Sequence, residues 1–288
     1  MRFRSLGLAA LCALTLPALP TAEAAPGQTL FDDFSYTSSS DARLRQRGWI
    51  VRSGGGGPGV GSWDPGLVRF AGGTMTLGAA TNGNSSGTRQ TQINTQARKF
   101  KDGTYASRIQ FSDAPVSGPD GDHVVQTFYT ITPLRYDYDP DYGEQDFEYL
   151  PNGGWGEPRN TMFLTSWETY RPDPWDAVNQ STASRRTFAG WHTVVLQVMN
   201  GRMRYFIDGT LIADHGGIYY PETPQLINFN QWFIDFAGLS SSTPREYRQA
   251  VDYVYFARDE ALSPTQVDTR IAGLRGAGTQ FTDNVTWP

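Results

Sequence analysis

The sequence predicts an all-β protein, a two-sheet sandwich of jelly-roll type followed by one short C-terminal helix. Three observations predict it. From Phe100 onward, segments rich in Val, Thr, Phe and Tyr recur between turn residues, as in a series of strands. Asn200-Gly201 sits between two apolar runs, the strongest short hairpin signal. Helical periodicity is nearly absent before residue 263, and no repeat or linker-like break interrupts residues 30–258. A single domain over residues 25–288 is therefore expected, built from many strands joined by turns.

Residues 1–24 read as a signal peptide. Arg2 and Arg4 precede an apolar stretch from Leu6 to Leu19, broken by Pro17, and Ala22-Glu23-Ala24 offers an A-x-A cleavage pattern. The stretch is too short to span a membrane, and no later segment approaches about 20 apolar residues. An exported, soluble, extracellular protein is expected. Cys12, the single cysteine, lies in the leader, so the exported chain must rest on its core instead of disulfides. Removing Arg2, Arg4 and Glu23 takes the formal net charge from −5 to −6. That mild acidity argues against nucleic acid or an anionic membrane as partner. Aromatic residues make up 13% of the chain and include 8 Trp. Their faces stack on sugar rings as well as on one another, which fits a sugar-binding cleft.

In chain order, residues 25–60 are rich in Gly, Ser and Asp and predict loops with one strand-like piece at 49–52. The run Gly54 to Gly57, with Pro58-Gly59, lacks the Lys-Ser or Lys-Thr and the following helix of a phosphate loop, so it reads as a plain loop. Residues 68–77 predict a hairpin around Gly72-Gly73. Strands over 105–111 and 123–132 precede an acidic stretch, after which Pro151-Asn152-Gly153-Gly154 turns the chain into 161–168. Residues 191–199 and 202–207 flank the Asn200-Gly201 turn, and Asp208-Gly209 leads into 211–213. Strands at 227–236 and 251–257 close the series. Ser263-Pro264-Thr265-Gln266 is a capping box with Pro at the first helical position. Val267, Ile271 and Leu274 give that helix one apolar face, and Gly276 a stop.

The stretch around which the chain is organised is Glu144-Gln145-Asp146-Phe147-Glu148. On a strand, Glu144, Asp146 and Glu148 share one face, and Gln145, Phe147 and Tyr149 the other. Three neighbouring acids raise the work of ionising one another, an arrangement a purely structural strand seldom carries. At ~3.3 Å per residue the Cα atoms of Glu144 and Glu148 lie about 13 Å apart. Side chains leaning together on a concave sheet approach both the 5–5.5 Å carboxyl separation of retaining glycosidases and the 6.5–9.5 Å of inverting ones. Spacing alone leaves both open, together with a solvated acidic face.

Other chemistries find less support. Only His123, His192 and His215 are present, at no zinc-ligand spacing, and no G-x-S-x-G elbow occurs. His192 reads as a core residue. Asp137, Asp139, Asp141 and Glu148 are spaced like calcium-loop positions, but Tyr142 stands where Gly is needed and Pro140 stiffens the loop. An acidic, tyrosine-rich loop at a cleft edge is the better reading.

The motif Glu144-Gln145-Asp146-Phe147-Glu148 resembles the E-x-D-x-E motif of family 16 glycoside hydrolases, the group that includes laminarinases and lichenases. Further matches follow in order: Gly190-Trp191-His192-Thr193, then Tyr205-Phe206-Ile207-Asp208-Gly209, Asn228-Phe229-Asn230-Gln231-Trp232, and Val251-Asp252-Tyr253-Val254. The resemblance covers residues 100–258 well and the first 70 residues after the leader weakly. It implies a concanavalin A-like jelly roll, with Glu144 as nucleophile, Glu148 as general acid/base and Asp146 supporting the nucleophile. It implies no metal or organic cofactor for catalysis. A structural calcium on the convex side is common in the family, and Asp252 matches the position of its carboxylate ligand. Where the family usually has an aliphatic residue this chain has Gln145, whose amide would face the core and cost about 1–3 kcal/mol if unsatisfied.

The physical reading agrees, since three packed acids titrate as a set in which one stays ionised to attack and another stays protonated to donate. Trp155, Trp167, Trp175 and Trp232 are the candidate sugar-stacking residues, with Asn230 as a polar contact. The sequence thus predicts a secreted, monomeric, retaining endo-glycosidase acting on a polysaccharide, with β-1,3-glucan first among substrates and mixed-linkage glucan and galactans behind it, by analogy alone. The alternatives are a lectin-like module on the same fold and a polysaccharide lyase, which would need a basic patch that the motif region lacks.

Overall fold

The computed structural model describes residues 27–287, so the leader expected at 1–24 lies outside the described residues. The chain runs β1 (Thr29–Asp32), α1 (Ala42–Gln46), β2 (Trp49–Val51), β3 (Ser62–Trp63), β4 (Val68–Ala71), β5 (Thr74–Thr81), β6 (Arg89–Thr95), β7 (Gly103–Phe111), β8 (Val124–Thr132) and β9 (Gly143–Leu150). It continues through β10 (Thr161–Pro172), β11 (Trp175–Arg185), β12 (Gly190–Met199), β13 (Arg202–Ile207), β14 (Thr210–Gly216), β15 (Leu226–Phe233), β16 (Arg245–Arg258), α2 (Pro264–Gly276) and β17 (Phe281–Asp283).

These strands form the two layers of a jelly-roll sandwich. One layer has the antiparallel order β2-β6-β15-β8-β9-β10-β11. The other is centred on the long β16, with β7, β12, β13 and β14 on one side. On its other side β5 and β4 follow its first half, and β1 and β17 its second. β6 passes between layers, pairing with β5 at Arg89 and with β15 from Thr91 to Asn94.

The inner faces meet in an aromatic core that sets the register of β9. Phe128, Phe147 and Phe229 are buried and stack across β8, β9 and β15, with ring centroids 6.1 and 5.0 Å apart. Phe147 also meets Tyr205 of β13 edge-on at 5.3 Å. With Phe147 held inward, strand alternation turns Glu144, Asp146 and Glu148 outward. Gln145 shares the inward face and is fully buried, its Oε1 accepting from the Thr130 hydroxyl at 2.7 Å while its Nε2 has no partner.

The Gly72-Gly73 and Asn200-Gly201 hairpins form where the sequence places them. So does the terminal helix, with Ser263 and Gln266 making the reciprocal cap and Val267 and Ile271 buried. Several details differ, and β3, β6 and β17 lie outside the strands expected from the sequence. Residues 25–60 contain β1 and α1 besides β2; α1 is only five residues long and is capped by Asp41, which accepts from the Arg43 N–H at 3.0 Å. β11 was not expected, because its residues are mostly polar and it closes the edge of its sheet without an apolar face. His192 is not a core residue: it is partly exposed, and its Nδ1 pairs with Asp208 Oδ2 at 2.6 Å.

Phe147→Ala is expected to cost about 3–5 kcal/mol, the usual penalty for truncating a buried Phe, because its cavity opens between two layers that cannot collapse independently. Denaturant unfolding of the two proteins measures this, and a loss below about 1 kcal/mol would remove Phe147 as the pin of the register.

Candidate active site

The outer face of the β2-to-β11 sheet forms a cleft of about 1130 Å³, with Glu144, Asp146 and Glu148 in its floor. β9 lies in the middle of the sheet, so each acid has a neighbour on both sides. Glu144 lies between Ile131 of β8 and Trp167 of β10, Asp146 between Tyr129 and Thr165, and Glu148 between Thr127 and Phe163. The row is therefore held by backbone pairing on both flanks, not by a loop.

Burial dominates the electrostatics of this row. It raises Glu144 to about 7, against the lowering effect of hydrogen bonds from Tyr142 and Asp146. The Tyr142 hydroxyl donates to Glu144 Oε2. Burial, followed by the charge of Glu144, raises Glu148 to about 8. Asp146 is raised well above the carboxylate range by burial and then by the charges of both glutamates, although Trp167 Nε1 donates to its Oδ2 at 2.9 Å. Around pH 7 the row cannot carry three negative charges. Asp146 is the most strongly opposed to ionising and is the member held neutral beside Glu144, while burial raises both glutamates towards neutrality.

Two aromatic walls flank the acids. Beside Glu148, Trp155 lies 5.8 Å from Trp232 and 6.4 Å from Phe163. Beside Glu144, Trp175 lies 6.1 Å from Trp167 and 5.4 Å from Tyr170. Trp155 and Trp175 leave 51% and 64% of their surfaces exposed, while Trp232 leaves 8%. Exposed rings in a cleft are ready to stack on sugar faces, and Trp232 backs Trp155.

All the residues singled out from the sequence for substrate contact, Trp155, Trp167, Trp175, Asn230 and Trp232, line this cleft. Asn230 differs in what it does there. Its Oδ1 accepts from Thr127 Oγ1 and its Nδ2 donates to the Tyr129 hydroxyl at 3.1 Å, so it braces Tyr129 above the acidic row. Sequence reasoning missed Tyr129, Tyr142, Tyr170, Asn228 and Arg52, which also line the cleft. Alternation signals two of them, since Tyr142 precedes Glu144 by two residues and Tyr129 follows Thr127 by two.

The expected calcium ligand does not fit that role. Asp252 Oδ2 accepts from Arg108 Nη1 at 3.1 Å and its Oδ1 from Arg275 Nη2 at 2.6 Å. Two guanidiniums take both carboxylate oxygens, and their charge opposes a cation. The loop of Asp137, Asp139 and Asp141 is likewise organised by Arg135, which bonds Asp139 and Asp141. Among the described residues no group of three or more His, Cys, Asp or Glu is arranged to hold a metal ion.

No family model and no curated protein matches the chain in sequence. Solved structures match its fold. The laminarinase from Flavobacterium sp. UMI-01 superposes with a TM-score of 0.60 at 17% identity, covering 79% of this chain and 98% of that one. The Bacillus licheniformis β-glucanase gives 0.58 at 16% identity, covering 81% and 100%. LamA from Z. galactanivorans, in complex with laminaritriose and laminaritetraose, gives 0.58 at 15% identity, covering 81% and 100%. At such identities the likeness defines the fold, a jelly roll like that of family 16 glycoside hydrolases.

Because burial raises Glu148 from 4.5 to about 8, the folded protein holds this proton where the unfolded chain has lost it, and the stability present below 4.5 is lost progressively as pH rises from there through 8. Glu148→Gln removes the ionisation and is expected to raise Tm relative to the parent at pH 9 but not at pH 5. Thermal scans at the two pH values check this; an equal difference at both would mean that Glu148 is not strained by ionising.

Proposed function

We propose that the protein is a secreted glycoside hydrolase that cleaves internal β-glycosidic bonds of a polysaccharide with retention, acting as a monomer through one catalytic domain. The observation that carries this reading is the row on β9, where three carboxyls share one face of a strand in the floor of an aromatic-walled cleft. The ionised Glu144 attacks the anomeric carbon while the Glu148 proton passes to the leaving oxygen, giving a glycosyl ester on Glu144. Glu148, now a carboxylate, takes a proton from water, which attacks the ester and releases the sugar with its original configuration. Neutral Asp146 hydrogen-bonds Glu144, and Tyr142 donates to the same carboxylate, so both hold the nucleophile in place and lower its basicity. This chemistry uses no metal or organic cofactor.

The lining extends from Gln92 on β6, across β9, to Ser181 on β11, so sugar units fit on both sides of the acids, which favours internal cleavage. Neighbouring folds include a laminarinase and a protein bound to laminaritriose, which makes a β-1,3-glucan backbone the first substrate to test. A lectin-like module is the second reading, because aromatic walls alone hold sugar. Three adjacent carboxyls, Asp146 buried and Glu144 and Glu148 half-buried, favour the enzyme, since they oppose ionisation at a cost that binding alone does not require.

Glu144→Ala is expected to abolish turnover of the natural polysaccharide, with azide restoring reaction on a glycosyl fluoride of the opposite anomer by filling the vacated space. Glu148→Ala should retain activity only on substrates whose leaving group needs no proton. Reducing-sugar release over a polysaccharide panel reads both, and unchanged activity in both variants would place the active site elsewhere.

The pH dependence has a defined sign. Activity is lost on the acid side as Glu144 gains its proton near 7, and on the alkaline side as Glu148 loses its own near 8. The expected kcat/KM profile is a narrow bell between those values. A plateau extending below pH 5 would contradict the assignment of a raised nucleophile.

A further inference from the structure

Arg52 is the single cation among the residues lining the cleft. Its Nη1 donates to Gln92 Oε1 at 2.8 Å and its Nη2 to the Gly56 carbonyl at 3.0 Å, both neutral acceptors, and it stacks 4.4 Å over the Trp63 ring. Among the described residues no carboxylate pairs with it. The loop that follows is shaped to hold it. Gly57 has a φ of +86°, and a Cβ there would lie 2.5 Å from Arg52 Nη2. The Gly56 carbonyl accepts from Arg52 and from the Trp63 indole as well. The glycine run that carries no phosphate-loop signature thus clamps one guanidinium at the cleft.

A second polar residue of the lining stands on the same side. Asn228 is buried and lines the cleft, and its Nδ2 has no partner. Its strand, β15, is two strands from β9, and Gln92, which anchors Arg52, is on the next strand out. At about 4.8 Å per strand, Gln92 lies roughly 14 Å from the acidic row. A guanidinium only donates, and it suits an acceptor that carries negative charge. At that remove, beyond a Debye length in physiological salt, the charge of the acids does little to repel an anion.

We propose that this end of the cleft is a subsite for an anionic substituent on the sugar chain, a sulfate ester or a uronate carboxylate, several units from the bond that is cleaved. The inference rests on the glycosidase reading and adds a charged group to its β-glycan substrate. A neutral glucan fills the same cleft but leaves Arg52 without its counter-charge. Charge-assisted contacts of this kind separate anionic from neutral ligands by roughly tenfold or more.

The test is equilibrium binding by calorimetry, using the catalytically silenced Glu148→Gln protein. The ligands are β-1,3-gluco-oligosaccharides, the same oligosaccharides sulfated, and the same oxidised at C6 to uronates. One anionic form is expected to bind about tenfold more tightly than the neutral form, and which one does so identifies the substituent. That ratio should collapse towards one in Arg52→Gln, and also in Gly57→Ala, which keeps the charge but displaces it. High salt should reduce the ratio in the parent alone. Equal binding of neutral and anionic forms, or a ratio that survives Arg52→Gln, overturns the subsite and leaves the glycosidase reading intact if the parent hydrolyses the neutral chain. Binding of none of the three, with no hydrolysis of the neutral chain, overturns both.

Discussion

The arrangement of the cleft depends on the inward packing of Phe147. That ring is held between Phe128 on the neighbouring strand and Tyr205 on the opposite layer. The strand period is two residues, so a slip of one position would bury Glu144, Asp146 and Glu148 and expose Phe147 and Tyr149. The penalty for burying three acids without partners is far larger than any single hydrogen bond recovers. The same constraint accounts for Gln145, which must go inward with Phe147, where its amide bonds Thr130 and leaves its Nε2 without a partner among the described residues.

A second constraint is the absence of a cation from the acidic row. A guanidinium beside Glu148 would hold it ionised and remove its capacity to donate a proton. The row is instead steadied by neutral donors, the Tyr142 hydroxyl on Glu144 and the Trp167 indole on Asp146. These lower the basicity of particular carboxyls without fixing the charge of the set. Arg52, the one cation of the cleft, stands three to four strands away, where its field over the acids is weak. The chemistry and the recognition of charge are thereby kept apart on one surface.

What the sequence makes legible is what short-range physics decides. Alternation in 144–149, the Asn200-Gly201 turn and the Ser263 capping box each depend on residues within a few positions, and each forms as the pattern implies. Interactions that require distant strands were not legible. Asp252 looks like a free carboxylate until Arg108 from β7 and Arg275 from α2 reach it. Asn230 looks like a sugar contact until Tyr129 and Thr127 occupy both ends of its amide. β11 carries no apolar face because, at the edge of its sheet, it buries little, so its strand character comes from pairing with β10.

The loops and turns add to this scaffold what the strands do not supply. Trp155 sits in the turn between β9 and β10, Trp175 at the first position of β11, and Arg52 just past the end of β2. A rigid sheet holds the reacting groups, while groups at its margins are free to vary with the ligand. The segment after Arg52 shows how such a margin is fixed. Gly59 has a φ of +82°, and a Cβ there would meet Trp232 Cε3 at 2.8 Å, as Gly57 would meet Arg52. One short glycine-rich loop is therefore pressed against both the cation and the tryptophan that backs the wall beside Glu148. Any side chain introduced there moves the anion donor and the aromatic wall together, so charge selectivity and sugar stacking at that end of the cleft are set by a single piece of backbone.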